Sequence, residues 1–278
     1  LDRLEEEIDN LRAALEWSQE RDMESCLRLA GALWRFWDLR GYNSDADEWL
    51  TQSIAISEGY RTVARARLLS RASGFYRNAV DEKKSLQLAQ EASALARELN
   101  DKPSLALALG IEGEALLNQP LLAQPLLEEA LKISEELGDH WLACTKWYVL
   151  AELANRQNDH EMQRSRIEKG LEEARLSKDH RRISVGLGYL SFYYIDRGKF
   201  TQAGEILSEG LALAKQIGDK DNVAERSMNL ANAYIFLERY SEAEALLIES
   251  RKAYEEIGHN SYLVVAICCL SYLAWVRD

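Results

Sequence analysis

Apolar residues recur at intervals of three and four along the whole chain, and no stretch alternates residue by residue as a half-buried strand would. In segment 240–257, for example, Ala243 and Leu247 lie one turn apart on a single helical face, with Glu242 and Glu244 on either side of Ala243. The pattern predicts helix throughout, about fourteen helices in all.

A fixed period lies over this helical one. The segments KISEELGD, EARLSKD, LAKQIGD and AYEEIGH place Asp139, Asp179, Asp219 and His259 at steps of 40 residues. The same ruler aligns Ala123, Gln163, Ala203 and Ala243, then Leu127, Ile167, Leu207 and Leu247 one turn later. Going backwards, Asn100 and Asp101 continue the series with a 38-residue step. Each period reads as two helices, such as 219–238 and 240–257, with Ser241 the expected N-cap of the second and Gly198 ending the first helix of the preceding period.

Within the periods, LANAY (Leu230, Ala231, Tyr234) followed by Tyr240, Ala243 and Leu247 resembles the tetratricopeptide signature. LSFYY (Leu190, Ser191, Tyr194) followed by Gly198, Phe200, Ala203 and Leu207 resembles it too. The resemblance implies an all-α, right-handed superhelical solenoid of helix pairs with a period of about 40 residues. That step exceeds the usual 34 and approaches HEAT and armadillo lengths, so HEAT-like stacking stays open.

The amino-terminal segment narrows the resemblance. EEEIDNLRAALEW (Glu5 to Trp17) and LRLAGALWRFWDLRGYNSDADEWL (Leu27 to Leu50) are similar to the start of the repeat region in STAND-class signal-transduction ATPases and related large transcriptional regulators. The resemblance implies a sensor whose inducer releases an autoinhibited parent protein, with residues 1–22 as helical linker and 23–278 as repeats continuing beyond the segment. The chain lacks the GxxxxGK[ST] stretch that cradles nucleotide phosphates, so it is not the ATPase portion. Trp17, Trp34, Trp37 and Trp49 crowd the first fifty residues and suggest a rigid joint.

Charge and composition remove other classes. A net charge of −12 disfavours nucleic acid and anionic membrane surfaces as partners. No apolar run reaches the roughly 18 residues that span a bilayer, and LDRLEEEIDN is too charged for a signal peptide. Cys26, Cys144, Cys268 and Cys269 have no metal-ligand spacing and are expected as buried reduced thiols, which fits the cytoplasm. His140, His160 and His180 stand 20 residues apart, but half a period places alternate members at opposite edges of a two-helix repeat. No nucleophile and base cluster, and no hydrolase or zinc-protease motif occurs, so no catalytic residue, cofactor or metal is expected and the chain is not expected to be an enzyme.

Recognition remains. In a solenoid of helix pairs the first helices line the concave wall. Carrying the tetratricopeptide register over, the groove-facing candidates are Tyr148, Glu152, Asn155 and Arg156, then Phe192 and Asp196, then Glu225, Asn232 and Phe236. Earlier units offer Arg35, Asp38, Arg67, Arg77 and Asn78. Aromatics and amides would grip a peptide, protein or small-molecule inducer while arginines hold an acidic group by forked hydrogen bonds. Arg61, Arg65, Arg67, Arg71 and Arg77 crowd one first helix, where they either meet an anionic ligand or pair with glutamates nearby. A free-standing scaffold or peptide-pheromone receptor competes with the sensor reading, in which other domains of the parent chain are also partners.

Overall fold

The computed structural model describes residues 2–40, 42–78, 81–258 and 260–277, with the side chains of all these except Asp2, Arg35, Asp38, Leu39, Arg40, Asn43 and Asn78. His259, the fourth marker of the period, lies outside the described residues. Every element among the described residues is an α-helix, fifteen in number. They form two compact units.

Unit 1, Leu1–Gly138, contains α1 (Asp2–Glu6), α2 (Ile8–Arg21), α3 (Met23–Arg40), α4 (Asn43–Ile56), α5 (Val63–Asn78), α6 (Glu82–Leu99), α7 (Lys102–Ala115) and α8 (Pro120–Glu136). Unit 2, Asp139–Asp278, contains α9 (His140–Arg156), α10 (His160–Leu176), α11 (His180–Ile195), α12 (Phe200–Ile217), α13 (Lys220–Phe236), α14 (Tyr240–Ile257) and α15 (Asn260–Arg277). In both, consecutive helices pack against one another. In unit 2 each odd helix also touches the next odd one: α9 meets α11, α11 meets α13, and α13 meets α15.

The aspartates of the 40-residue period start these helices. Asp139, Asp179 and Asp219 are N-caps whose carboxylates accept from backbone N–H groups of the first turn, and Asp101 does the same for α7. Such a cap satisfies a donor that helix geometry leaves without a partner. Ser241 is not a cap: α14 starts at Tyr240 with Arg239 before it, and no side chain caps that end. Ser241 lies inside the first turn and so cannot be the residue that precedes the helix, and Arg239 reaches Glu242 there with its Nε at 2.7 Å. Several turns before the caps need a left-handed residue, supplied by Gly138, Gly218 and Gly258 but by Lys178 at the equivalent place, with φ +55°.

The hydrophobic column on the second helices is fully enclosed: Leu127, Ile167, Leu207 and Leu247 have no exposed surface. Burying each such side chain contributes about 1.5–3 kcal/mol. Outside the core, ion pairs link neighbouring helix pairs at a recurring separation. Arg97 meets Glu129 and Lys102 meets Glu136 in unit 1, 32 and 34 residues apart. Lys215 meets Glu249 and Lys220 meets Glu256 in unit 2, 34 and 36 residues apart.

Helix α15 departs from expectation. Its 18 residues have a mean hydropathy of 1.3, apolar enough by length and composition to cross a bilayer, where no such run was expected. The uninterrupted-run criterion stops at Ser271, whereas the average over the helix does not. In the structure it packs along α14, burying Ala266 and Leu273. Val264 and Trp275 stay exposed, although their counterparts 40 residues earlier, Ala224 and Ile235, are buried in the cluster that α13 shares with α14. The thiols divide accordingly. Cys26 and Cys144 are buried, and burial pushes the Cys144 thiol up to about 12, but Cys269 is only half-buried and Cys268 is exposed, contrary to the buried pair expected.

Candidate functional site

The positions predicted to face a groove do not share one fate. In unit 1, the side chains of Arg35, Asp38 and Asn78 lie outside the described residues. Arg67 and Arg77 are half-exposed, and both hold carboxylates of the following first helix. Arg67 is 3.0 Å from Asp101 and Arg77 pairs with Glu114.

The remaining arginines of the cluster are engaged as well, Arg61 lying before the start of α5. Arg61 donates from Nε to Glu98 at 2.7 Å. Buried Arg65 donates to Glu91 at 2.7 Å and to the Ile54 carbonyl at 3.0 Å, and Arg71 donates to the Gly31 carbonyl at 2.9 Å. Internal pairing therefore engages all five arginines. For Asp101, burial works against ionisation, but hydrogen bonds from Arg67 and Ser104 hold its carboxyl below the ordinary range.

In unit 2, Tyr148 is not on the wall but in the core, 2% exposed. Its ring lies where Cβ atoms would otherwise be: a methyl built on Gly170 would come within 2.4 Å of it, and one on Gly186 within 2.1 Å of its Oη. The hydroxyl donates to the Arg182 carbonyl at 3.2 Å and the ring stacks on Tyr189 with centroids 5.3 Å apart. Two glycines on neighbouring helices thus turn an aromatic wall candidate into a packing residue.

The other candidates of unit 2 occupy equivalent places on successive odd helices. Glu152 on α9, Phe192 on α11 and Asn232 on α13 are spaced by 40 residues, as are Arg156, Asp196 and Phe236 one turn further on. Glu152 accepts from Arg156 at 2.9 Å, and Asn155 is half-buried. Glu225 is held by its neighbour Arg226, itself buried, at 3.2 Å. Phe192 and Asp196 are exposed, with 43% of Phe192 in solvent. Phe236 is 57% exposed on one face while the other stacks on Phe200 at 4.3 Å. Asn232 is half-buried and lies beside Cys269 of α15.

Three further residues of the odd helices were not among the candidates: Tyr189, Asn229 and Tyr272. Asn229 and Tyr189 stand three residues before Asn232 and Phe192, and Tyr272 stands 40 after Asn232, so the same ruler could have found them. Asn229 is 6% exposed and its side-chain N–H₂ has no hydrogen-bond partner. Among the described residues no group of His, Cys, Asp or Glu is arranged to hold a metal ion.

Residues 182–256, which are α11 to α14, match the tetratricopeptide repeat family. The chain is a tetratricopeptide-like helical protein. A putative HTH-type transcriptional regulator of Mycobacterium bovis is 30% identical over 155 residues, covering 52% of this tetratricopeptide-like chain but 18% of the relative. The chain thus spans less than a fifth of the curated relatives it matches. Among solved structures, a STAND protein with a tetratricopeptide repeat sensor from Pyrococcus horikoshii superposes with a TM-score of 0.69 at 15% identity, over 96% of this chain and 43% of that one. NprR in complex with its cognate peptide NprX gives a TM-score of 0.69 at 17% identity, over 95% of this chain and 78% of that one. At these identities the likeness concerns the tetratricopeptide-like fold.

Proposed function

We propose that this chain is a recognition module, without catalytic activity of its own, that binds a peptide or protein segment on the odd-helix wall of unit 2. The observation that carries the reading is the placement of Phe192 and Phe236 in solvent on successive first helices, with Asn232 at the place equivalent to Phe192 and one turn before Phe236. A folded protein leaves large aromatics exposed at some cost, and such residues beside amide donors suit an extended main chain with apolar side chains. The likeness to a STAND sensor and to a peptide-bound receptor supports the same class of function.

Within that class the sensor role in a STAND-like regulator is our reading, with inducer binding relieving autoinhibition in a longer parent protein. A free-standing peptide receptor is the second reading, favoured by the likeness to NprR with its peptide. A nucleotide-binding P-loop domain encoded in the same gene separates the two.

The binding claim is tested by panning a random peptide library against the full chain and measuring selected peptides by fluorescence anisotropy. Phe192→Ala and Asn232→Ala should each weaken binding about tenfold, a loss of about 1.4 kcal/mol, with the melting temperature nearly unchanged. Replacing Asn155 and Arg156 together by alanine should weaken it as well. No peptide enrichment, or affinities indifferent to these changes, would reject the wall as the site.

A further inference from the structure

Glu112 occupies a leucine position. Counting eleven residues from the capping aspartates 101, 139, 179 and 219 arrives at Glu112, Leu150, Leu190 and Leu230. Leu150 and Leu230 are 1% and 4% exposed, and Glu112 is 8% exposed, so the acid sits where three other repeats place an aliphatic side chain. Its Oε1 has no hydrogen-bond partner.

The counter-charge near it is shared with another carboxylate. From α6, Arg97 lies nearby, but both its short contacts, 2.8 and 2.9 Å, go to Glu129. From α8, Glu129 faces the site with a like charge. On α5, Arg67 is held by Asp101, Arg71 by the Gly31 carbonyl and Arg77 by Glu114, the latter on α7 itself. Ser93 of α6 adjoins the carboxyl, yet its single O–H is donated to the Gln90 carbonyl at 3.1 Å. That O–H cannot serve Glu112 in full, so Ser93 only partly offsets the burial of the carboxyl.

We propose that Glu112 is a proton-operated latch in unit 1: as a neutral acid it completes the layer formed by α6, α7 and α8, and on ionising it loosens α7 from that layer. A buried carboxylate with one oxygen unpartnered must bring that oxygen to water or leave it unsatisfied, and α7 is the helix on which it rides. Burial raises the Glu112 carboxyl above its ordinary value and Glu129 adds to this, while Ser93 and Arg97 oppose it. Because the folded state binds the proton more tightly than the unfolded chain, the contribution is complete below the unfolded carboxylate range. It is lost as pH rises through the folded value. Above the folded value, therefore, α7 is held least firmly. The proposal does not depend on what unit 2 binds.

The test uses the full chain and its Glu112→Gln and Glu112→Leu variants, with thermal unfolding by circular dichroism from pH 5 to 8 and hydrogen exchange of the α7 amides. Gln cannot ionise, and Leu restores the column. Both variants should melt above the wild type at pH 8, by about 2–4 °C for each kcal/mol relieved, and the gap should close toward pH 5. Protection of α7, corrected for intrinsic exchange, should fall with pH in the wild type by up to about tenfold per unit within the titration window, and stay flat in Glu112→Gln. Parallel pH profiles for wild type and both variants, or variants less stable at every pH, would overturn the proposal.

Discussion

Adding one methyl group at Gly186 should destabilise the protein by about 1–3 kcal/mol, the range for forcing extra volume into a packed core. The new Cβ would stand 2.1 Å from Tyr148 Oη, 2.6 Å from its Cζ and 2.7 Å from Leu171 Cδ2. Tyr148 cannot swing aside: Gly170 bounds the ring on one side, Tyr189 stacks on it at 5.3 Å, and the Arg182 carbonyl holds the hydroxyl. Urea unfolding of Gly186→Ala should thus show a lower midpoint with an unchanged slope. A double-mutant cycle sharpens the claim. Tyr148→Phe alone should lose about 1 kcal/mol with its hydrogen bond, but in the Gly186→Ala background it also removes the 2.1 Å contact. The combined loss should fall short of the sum by about 1 kcal/mol. A Gly186→Ala variant within about 0.5 kcal/mol of wild type, or strict additivity, would refute the slot as described.

Other outcomes follow from the same geometry. Leu207→Ala, at a position with no exposed surface, should lose about 2–5 kcal/mol in chemical denaturation; a loss under 1 kcal/mol would mean the column is not the core. Lys178→Gly should gain about 0.5–1 kcal/mol, because φ +55° strains a residue with a Cβ; destabilisation would show that its side chain matters more than its backbone. Asp101→Asn keeps a capping oxygen but loses the charge held by Arg67 at 3.0 Å, so it should lose about 1–2 kcal/mol at pH 7. Since the Asp101 carboxyl lies below its ordinary range, that stability is present above the unfolded value and vanishes as pH falls through the folded one, and a pH-independent deficit would contradict the pairing.

The repeating architecture was legible because two periods coincide. Helical spacing placed Leu127, Ile167, Leu207 and Leu247 on one face, and the 40-residue ruler placed Asp139, Asp179 and Asp219 before the first helices they cap. Tyr148 was misplaced because register alone does not say whether an aromatic faces solvent or fills a gap. The signal lay in the neighbours: Gly170 and Gly186 leave space for one large ring. The arginine cluster was ambiguous for a related reason, since Glu98, Glu91 and Asp101 lie 26 to 37 residues away and only packing joins them. Glu112 could have been seen by ruler, as the one acid among leucines at this place, but the missing partner of its Oε1 could not.

The ion pairs that recur at about one repeat's separation bear on how the chain acquires its structure. Even the bond from Arg71 to the Gly31 carbonyl spans only 40 residues, and the helix packing in each unit joins near neighbours in sequence. Little loop entropy must be surrendered before such contacts form, so collapse can begin at any helix pair and spread outward, on timescales of microseconds to milliseconds rather than seconds. Under a pulling force the same chain should yield helix pair by helix pair, as a series of small extensions with short refolding times, because each pair's grip is confined to its neighbours.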